Sequence, residues 1–255
     1  MKTTIGFTHK YHPQPRLSAN QIADYLSANA TNRRRILKDA KYPPTVLLIR
    51  YEDAKSALIS HLTTEAGSDG ILTRKVLALR RKWDGDDITD YARTNCMLCV
   101  DAIESFQAYE TQMDIGKAKF LKPMTHYPRL KISGVSISVS IDLRVERADS
   151  KGNKSIGGAM LIFSKSGGPD KNPQERCKAI TLLVHELLRG SAKPSETLDP
   201  NLCMAIDVFN GTVYRARTQQ KLLYKTVENS CGEVATVWPS VEPPPNYYGP
   251  PIPKS

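Results

Sequence analysis

The chain has 255 residues, 40% of them apolar and only 7% aromatic, and carries 36 Lys and Arg against 26 Asp and Glu, a formal net charge of +10. This is enough apolar material for one large core or two small ones, and no run approaches the roughly 18 uninterrupted apolar residues of a membrane span. The start, MKTTIGFTHKYHPQPR, lacks the apolar stretch of a signal peptide, so the cytoplasm is the expected compartment.

After this Pro-containing leader, LSANQIADYLSAN predicts a helix capped by Ser18, with Ile22, Tyr25 and Leu26 at helical spacing. A second short helix holds Arg33, Arg34, Arg35 and Lys38 before Pro43 and Pro44 break it. The segment VLLIRYEDAKSALISHLTTE begins as an apolar run and turns amphipathic, with Ala54, Ala57, Leu58 and Leu62 on one stripe. Periodicity leaves ILTRKVLALRRKW open between helix and strand. From Ile88 to about Met113 the pattern is helical, starting near Thr89 or Asp90. Within it Cys96 and Cys99 have CxxC spacing. No second pair at zinc-like spacing accompanies them, so they are read as core residues, and the five scattered cysteines as reduced thiols.

The character changes near Tyr127. In VSISVSIDLRVE, apolar Val135, Ile137, Val139, Ile141, Leu143 and Val145 alternate with polar neighbours, the period of two of a half-buried strand. This register aims Asp142 away from the main core. SKGNKSIGG supplies a turn and GAMLIFSK a second strand, so an antiparallel hairpin is expected. QERCKAITLLVHELLRG predicts a helix ended by Gly190, and AIDVFNGTVYRAR a hairpin turning at Asn210-Gly211. TQQKLLYKTVENSC predicts a terminal helix, and the Pro-rich PSVEPPPNYYGPPIPKS an extended or disordered tail. His61 and His185 fall within amphipathic helices and are weak metal-ligand candidates. The divisions drawn are 1–126, mainly helical; 127–238, a core of sheet and helix; and 239–255, the tail. The fold class is α/β (α+β), a mostly helical first half followed by a central mixed β-sheet flanked by helices.

The order of these elements, together with LSANQIADYLSAN, ISVSIDLRVE, LIFSKSGG and NPQERCKAITLLVHELL, resembles the PD-(D/E)XK nuclease superfamily, and within it the RecB-like exonucleases. The resemblance extends from Leu17 to about Tyr224. It implies a restriction-endonuclease-like core in which Asp142 binds metal, Lys165 is the catalytic ammonium and Gln174 lies near the site. Phosphodiester hydrolysis by this route needs Mg²⁺ or Mn²⁺ on hard oxygen ligands, which lowers the pKa of the attacking water, and an ammonium beside it. The family's second acid stands two residues before the lysine, on the same strand face. Here that residue is Phe163, which cannot bind metal. Either the acid has migrated, with Glu175 the preferred donor beside Asp142 and Glu146 the second choice, or the site is degenerate, holds no metal and only grips nucleic acid.

The positive charge favours a polyanionic partner, because Lys and Arg release counterions condensed on phosphates. Arg33, Arg34, Arg35, Lys38, Arg80 and Arg81 are the candidate contacts, with DNA favoured over RNA, and a solvated basic face is the plain alternative. Two non-catalytic readings stand beside a nuclease: a DNA-binding or recruitment subunit, and an assembly protein docking through its Pro-rich tail.

Overall fold

The computed structural model describes residues 7–46, 50–64, 70–113, 118–123, 126–149, 152–164, 172–192 and 196–252. A short strand β1 (Arg16–Ser18) leads into α1 (Ala19–Ser27). A capping box starts this helix: the Gln21 N–H donates to Ser18 Oγ at 3.2 Å, and the Ser18 N–H to Gln21 Oε1 at 2.8 Å. The arginine-bearing helix α2 (Ala30–Lys41) is capped by Asn29. Then follow α3 (Glu52–Thr63), α4 (Ile71–Trp83) and α5 (Asp90–Tyr109). The ambiguous ILTRKVLALRRKW is thus a helix, burying Leu72, Val76 and Leu79 at helical spacing. Cys96 and Cys99 are buried on α5, as core packing requires.

The remaining elements are β2 (Lys119–Leu121), β3 (Leu130–Ile132), β4 (Val135–Ser138), β5 (Leu143–Ala148), β6 (Lys154–Ile162), α6 (Pro173–Arg189), β7 (Thr197–Asp207), β8 (Thr212–Arg215) and α7 (Lys221–Val237). They make two sheets, a three-stranded one ordered β1-β4-β3 and a five-stranded one ordered β2-β5-β6-β7-β8. In the larger sheet, β5 and β6 pair antiparallel, the hairpin expected from sequence. The β6–β7 pair is parallel, with α6 as its crossover. The β7–β8 hairpin turns at Asn210-Gly211, where Gly211 takes φ +63°. The protein is a mixed α/β fold.

Helices cover both faces of the large sheet. On one face Met160, Ile162, Cys203 and Ala205 pack with α1, α6 and α7. On the other, Ala159, Leu161, Met204 and Ile206 pack with α3, α4 and α5. Alternation along β6 and β7 therefore divides one sheet between two cores. No described helix is long and apolar enough to cross a membrane.

Two expectations are corrected. VSISVSIDLRVE is not one strand: β4 belongs to the small sheet and β5 to the large one, and residues 139–142 carry the chain between them. Ile141 joins one core and Leu143 the other, so the period of two breaks at Asp142. That carboxylate is buried, at 4% exposure, instead of facing away from the core. The second correction concerns the Pro-rich tail, whose described part to residue 252 is engaged by its own chain. Buried Lys41 donates through Nζ to the carbonyls of Trp238 (2.7 Å), Pro239 (3.1 Å) and Val241 (3.0 Å). The N–H groups of Thr8 and His9 both donate to Tyr248 O at 2.9 Å, and Tyr247 packs edge-on against Tyr42 at 5.2 Å. Proline rigidity lowers the entropy lost on docking such a segment, and Lys41 supplies its anchor.

Lys41→Met keeps the apolar stem and strands three carbonyls. It is expected to cost about 2 kcal/mol, since hydrogen bonds to a charged donor contribute about 1.5–3 kcal/mol net and these share one nitrogen. Hydrogen exchange followed by mass spectrometry should show faster exchange confined to residues around 238–248. Unchanged exchange there would remove Lys41 as the anchor.

Candidate functional site: a buried carboxylate held by a helix lysine

The site grows from the start of α3. Tyr51 precedes the helix with φ +63° and provides no side-chain cap. A left-handed backbone costs a non-glycine residue about 1–3 kcal/mol and is retained where surrounding contacts over-determine it. Here the Tyr51 N–H donates to Asn95 Oδ1 of α5 at 3.2 Å, and its ring stacks on Phe163 with centroids 5.3 Å apart and planes at 17°. Phe209 meets the Tyr51 ring edge-on at 5.8 Å. The α3 stripe Ala54, Ala57 and Leu58 is buried against the sheet side of this core, which leaves Lys55 at the margin of the stripe.

From that margin Lys55 Nζ reaches Asp142 Oδ1 at 2.6 Å, with the lysine side chain 32% exposed and the carboxylate 4%. The other carboxylate oxygen, Oδ2, accepts the Leu161 N–H at 2.8 Å, and the Asp142 N–H donates to Ala159 O at 2.9 Å. Asp142 thus caps the place where β5 leaves its pairing with β6. Burial pushes its carboxyl above the ordinary value of 3.8; Lys55 and the Leu161 N–H pull against that shift, and nearby Glu52 adds to it.

This donor set does not fit a divalent metal. Mg²⁺ and Mn²⁺ need converging oxygen ligands, whereas both Asp142 oxygens face donors, one of them a cation. Phe163 packs its ring on Tyr51 at the place where the resemblance puts an acid. Among the described residues no group of three His, Cys, Asp or Glu side chains comes together in a metal-holding arrangement.

The sequence-derived candidates are dispersed. Lys165 lies outside the described residues. Glu175, in the first turn of α6, is exposed and pairs with Lys178 at 2.7 Å; it is not among the groups acting on Asp142. Glu146 is taken by Arg144, whose guanidinium also binds Glu196, both at 2.8 Å. Gln174 is exposed next to Glu175 at the α6 start, its N–H donating to Asn172 Oδ1 at 3.1 Å. His61 and His185 each pair with one carboxylate, Glu110 at 2.6 Å and Glu186 at 3.3 Å.

Of the basic candidates, Arg33 is partly structural: Nε donates to Tyr25 O and Ala28 O at 3.1 Å, and Nη1 to Glu233 at 3.3 Å. Arg80 pairs with Glu104 at 2.6 Å. Lys38 and exposed Arg35 lie near Asp39, whose carboxyl is pushed up by burial and pulled back by these two cations. Arg34 and Arg81 are exposed and form no ion pair among the described residues. The helix α4 that carries Arg81 also holds Arg74, Lys75, Arg80 and Lys82 and contains no acid. It packs beside α3, where Lys75 Nζ meets Asp53 Oδ1 at 2.5 Å.

Sequence reasoning missed Lys55, Glu52 and Tyr51. The one available signal was the α3 stripe itself, because a lysine at the edge of an apolar face can extend its head along that face. Nothing local names its partner. Comparison with protein-family models and with curated protein sequences finds no match.

Proposed function

We propose that this chain is a nucleic-acid-binding protein on a nuclease-like sheet, in which a built-in ammonium takes the place of a metal ion at the Asp142 carboxylate, just before β5. The observation that carries the reading is the Lys55–Asp142 pair at 2.6 Å. It neutralises the one acid on which the resemblance turns, while Phe163 stands in for the second. The sheet supports the nuclease-like part, with an antiparallel β5–β6 hairpin, a helical crossover to parallel β7 and a last antiparallel strand. The binding part is supported by the net charge of +10 and by the acid-free basic helix α4 beside the site. In this reading DNA is the preferred polymer, and hydrolysis is not part of the function.

Fluorescence anisotropy with labelled single-stranded and duplex DNA, over a NaCl series, tests binding. With about six phosphate contacts, affinity should fall about 10³-fold between 50 and 200 mM salt. The double reversal Arg34→Glu/Arg81→Glu should weaken binding of all sequences alike. Incubation of DNA with the protein and Mg²⁺ or Mn²⁺ should leave it intact. Cleavage that Asp142→Ala abolishes would overturn the non-hydrolytic reading, and absence of binding to any nucleic acid would leave an assembly role.

A further inference from the structure

Outside the Asp142 site, a groove of about 410 Å³ lies between α4 and α5. Trp83, at the end of α4, and Met97, on α5, line it and are 38% and 55% exposed. Leu77, 49% exposed, stands one turn before Arg80 and two before Asp84, both of which line the groove. Helical spacing thus continues the apolar strip from the groove along α4. Three of the eight large apolar side chains exposed among the described residues share this one face. Single exposed apolar residues are ordinary, whereas a Trp and a Met gathered at a groove have the composition of a protein interface.

Charge indicates what fits there. The rim carries Asp84, Asp101 and Glu104 against one cation, Arg80, which Glu104 holds at 2.6 Å. Asp86 and Asp87 follow, both exposed. An acid-rimmed apolar groove on a chain of net charge +10 is complementary to the surface of the chain itself. Helix α4 supplies the matching half, because it contains no acid and exposes Arg74 three residues before Leu77. Two copies of the segment 74–87 running parallel would set like charge against like. Running antiparallel and crossed near Arg80, they set Arg74 against Asp86, and Leu77 against Trp83, of the other copy. Arg80, at the crossing, brings its own counter-ion in Glu104.

We propose that this face is the interface of a two-fold homodimer, in which α4 of one copy lies antiparallel across the α4–α5 groove of the other. Each copy contributes the same patch, so the assembly closes at two chains. Helix α4 is about 20 Å long, which places the interface at the small end of specific sizes and the dissociation constant at about 10 μM. Arg81 lies about 100° round the helix from Arg80 and Lys82 farther still. The pairing and the nucleic-acid contacts proposed above therefore use different faces of α4.

Sedimentation velocity of the full chain, freed of nucleic acid as judged by its absorbance ratio, tests the proposal over about 1–200 μM. Wild type should pass from monomer to dimer across this range, and added salt should weaken the dimer. Leu77→Lys/Met97→Lys removes two apolar anchors and should weaken association at least about 30-fold, leaving a monomer throughout. Asp84→Lys reverses one rim charge at an exposed position and should weaken association about fivefold or more. Leu222→Lys, which changes an 83% exposed leucine on α7, should dimerise as wild type does. Circular dichroism confirms that each variant folds, and if the double variant does not, Asp84→Lys decides alone. A wild-type monomer at every concentration overturns the proposal. So does a dimer that the groove variants leave unchanged, which would place the contact elsewhere on the chain.

Discussion

Lys55→Met is expected to lower the unfolding free energy by about 3 kcal/mol in urea titrations at neutral pH. Removing one partner of a buried ion pair costs about 3–5 kcal/mol because the other charge stays behind; the low end applies because Lys55 is one-third exposed. The double variant Lys55→Met/Asp142→Asn should recover much of that loss, since an amide can still accept the Leu161 N–H. Additive losses would show that the two residues do not act as a pair. The pH dependence has a defined sign. A carboxyl whose folded pKa lies above 3.8 holds more protons folded than unfolded, so its contribution to stability is present at low pH and declines as pH rises through the folded value. Lys55 pulls that value down, so its loss moves the decline to higher pH. The deficit of Lys55→Met relative to wild type should therefore be smallest in acid and grow toward neutrality.

The second large effect is expected at Gly157. The parallel ladder runs Ile156↔Leu198 and then Gly158↔Cys203, so β7 bulges outward between Leu198 and Cys203 while β6 passes only Gly157. A Cβ on Gly157 would sit 2.2 Å from Leu202 O and 2.3 Å from Leu202 C. Both are backbone atoms and neither can swing aside. Gly157→Ala must then open the β6–β7 pairing at the centre of the sheet, with a cost of about 4 kcal/mol or more, in the range reserved for core disruption. A urea midpoint within error of wild type would mean that the bulge relaxes freely. Gly152→Ala is a useful control, since a Cβ there meets nothing within 4 Å, although its φ of +82° carries a backbone penalty of its own.

Much of the fold was readable locally. Ser18 and Gln21 announce α1 because both halves of a capping box lie within four residues. Asn210-Gly211 announces the β7–β8 turn because Gly211, at φ +63°, takes the left-handed backbone that ends the 208–211 connection. The apolar faces of α5 and α6 recur over enough turns to be unambiguous. The candidate site was far less legible. The surroundings of Asp142 were misread, because alternation extrapolated through residues 139–142 cannot register a strand that leaves one sheet for another. Glu175 was paired with Asp142 on the strength of helix order alone, and the fold gives it to Lys178.

What the sequence by itself determined is most of the helices, from periodicity and caps, two hairpins, from turn residues, and a net positive charge, from composition; it left α4 open and ran β4 and β5 together. These depend on interactions within a few residues, which the chain order states directly. Tertiary structure alone decided that Asp142 is buried, that Lys55 from α3 neutralises it, that Phe163 stacks on Tyr51, and that Lys41 fixes the tail. Each of these joins residues distant in the chain, and the free energy of a buried charge depends on what the packed core places beside it.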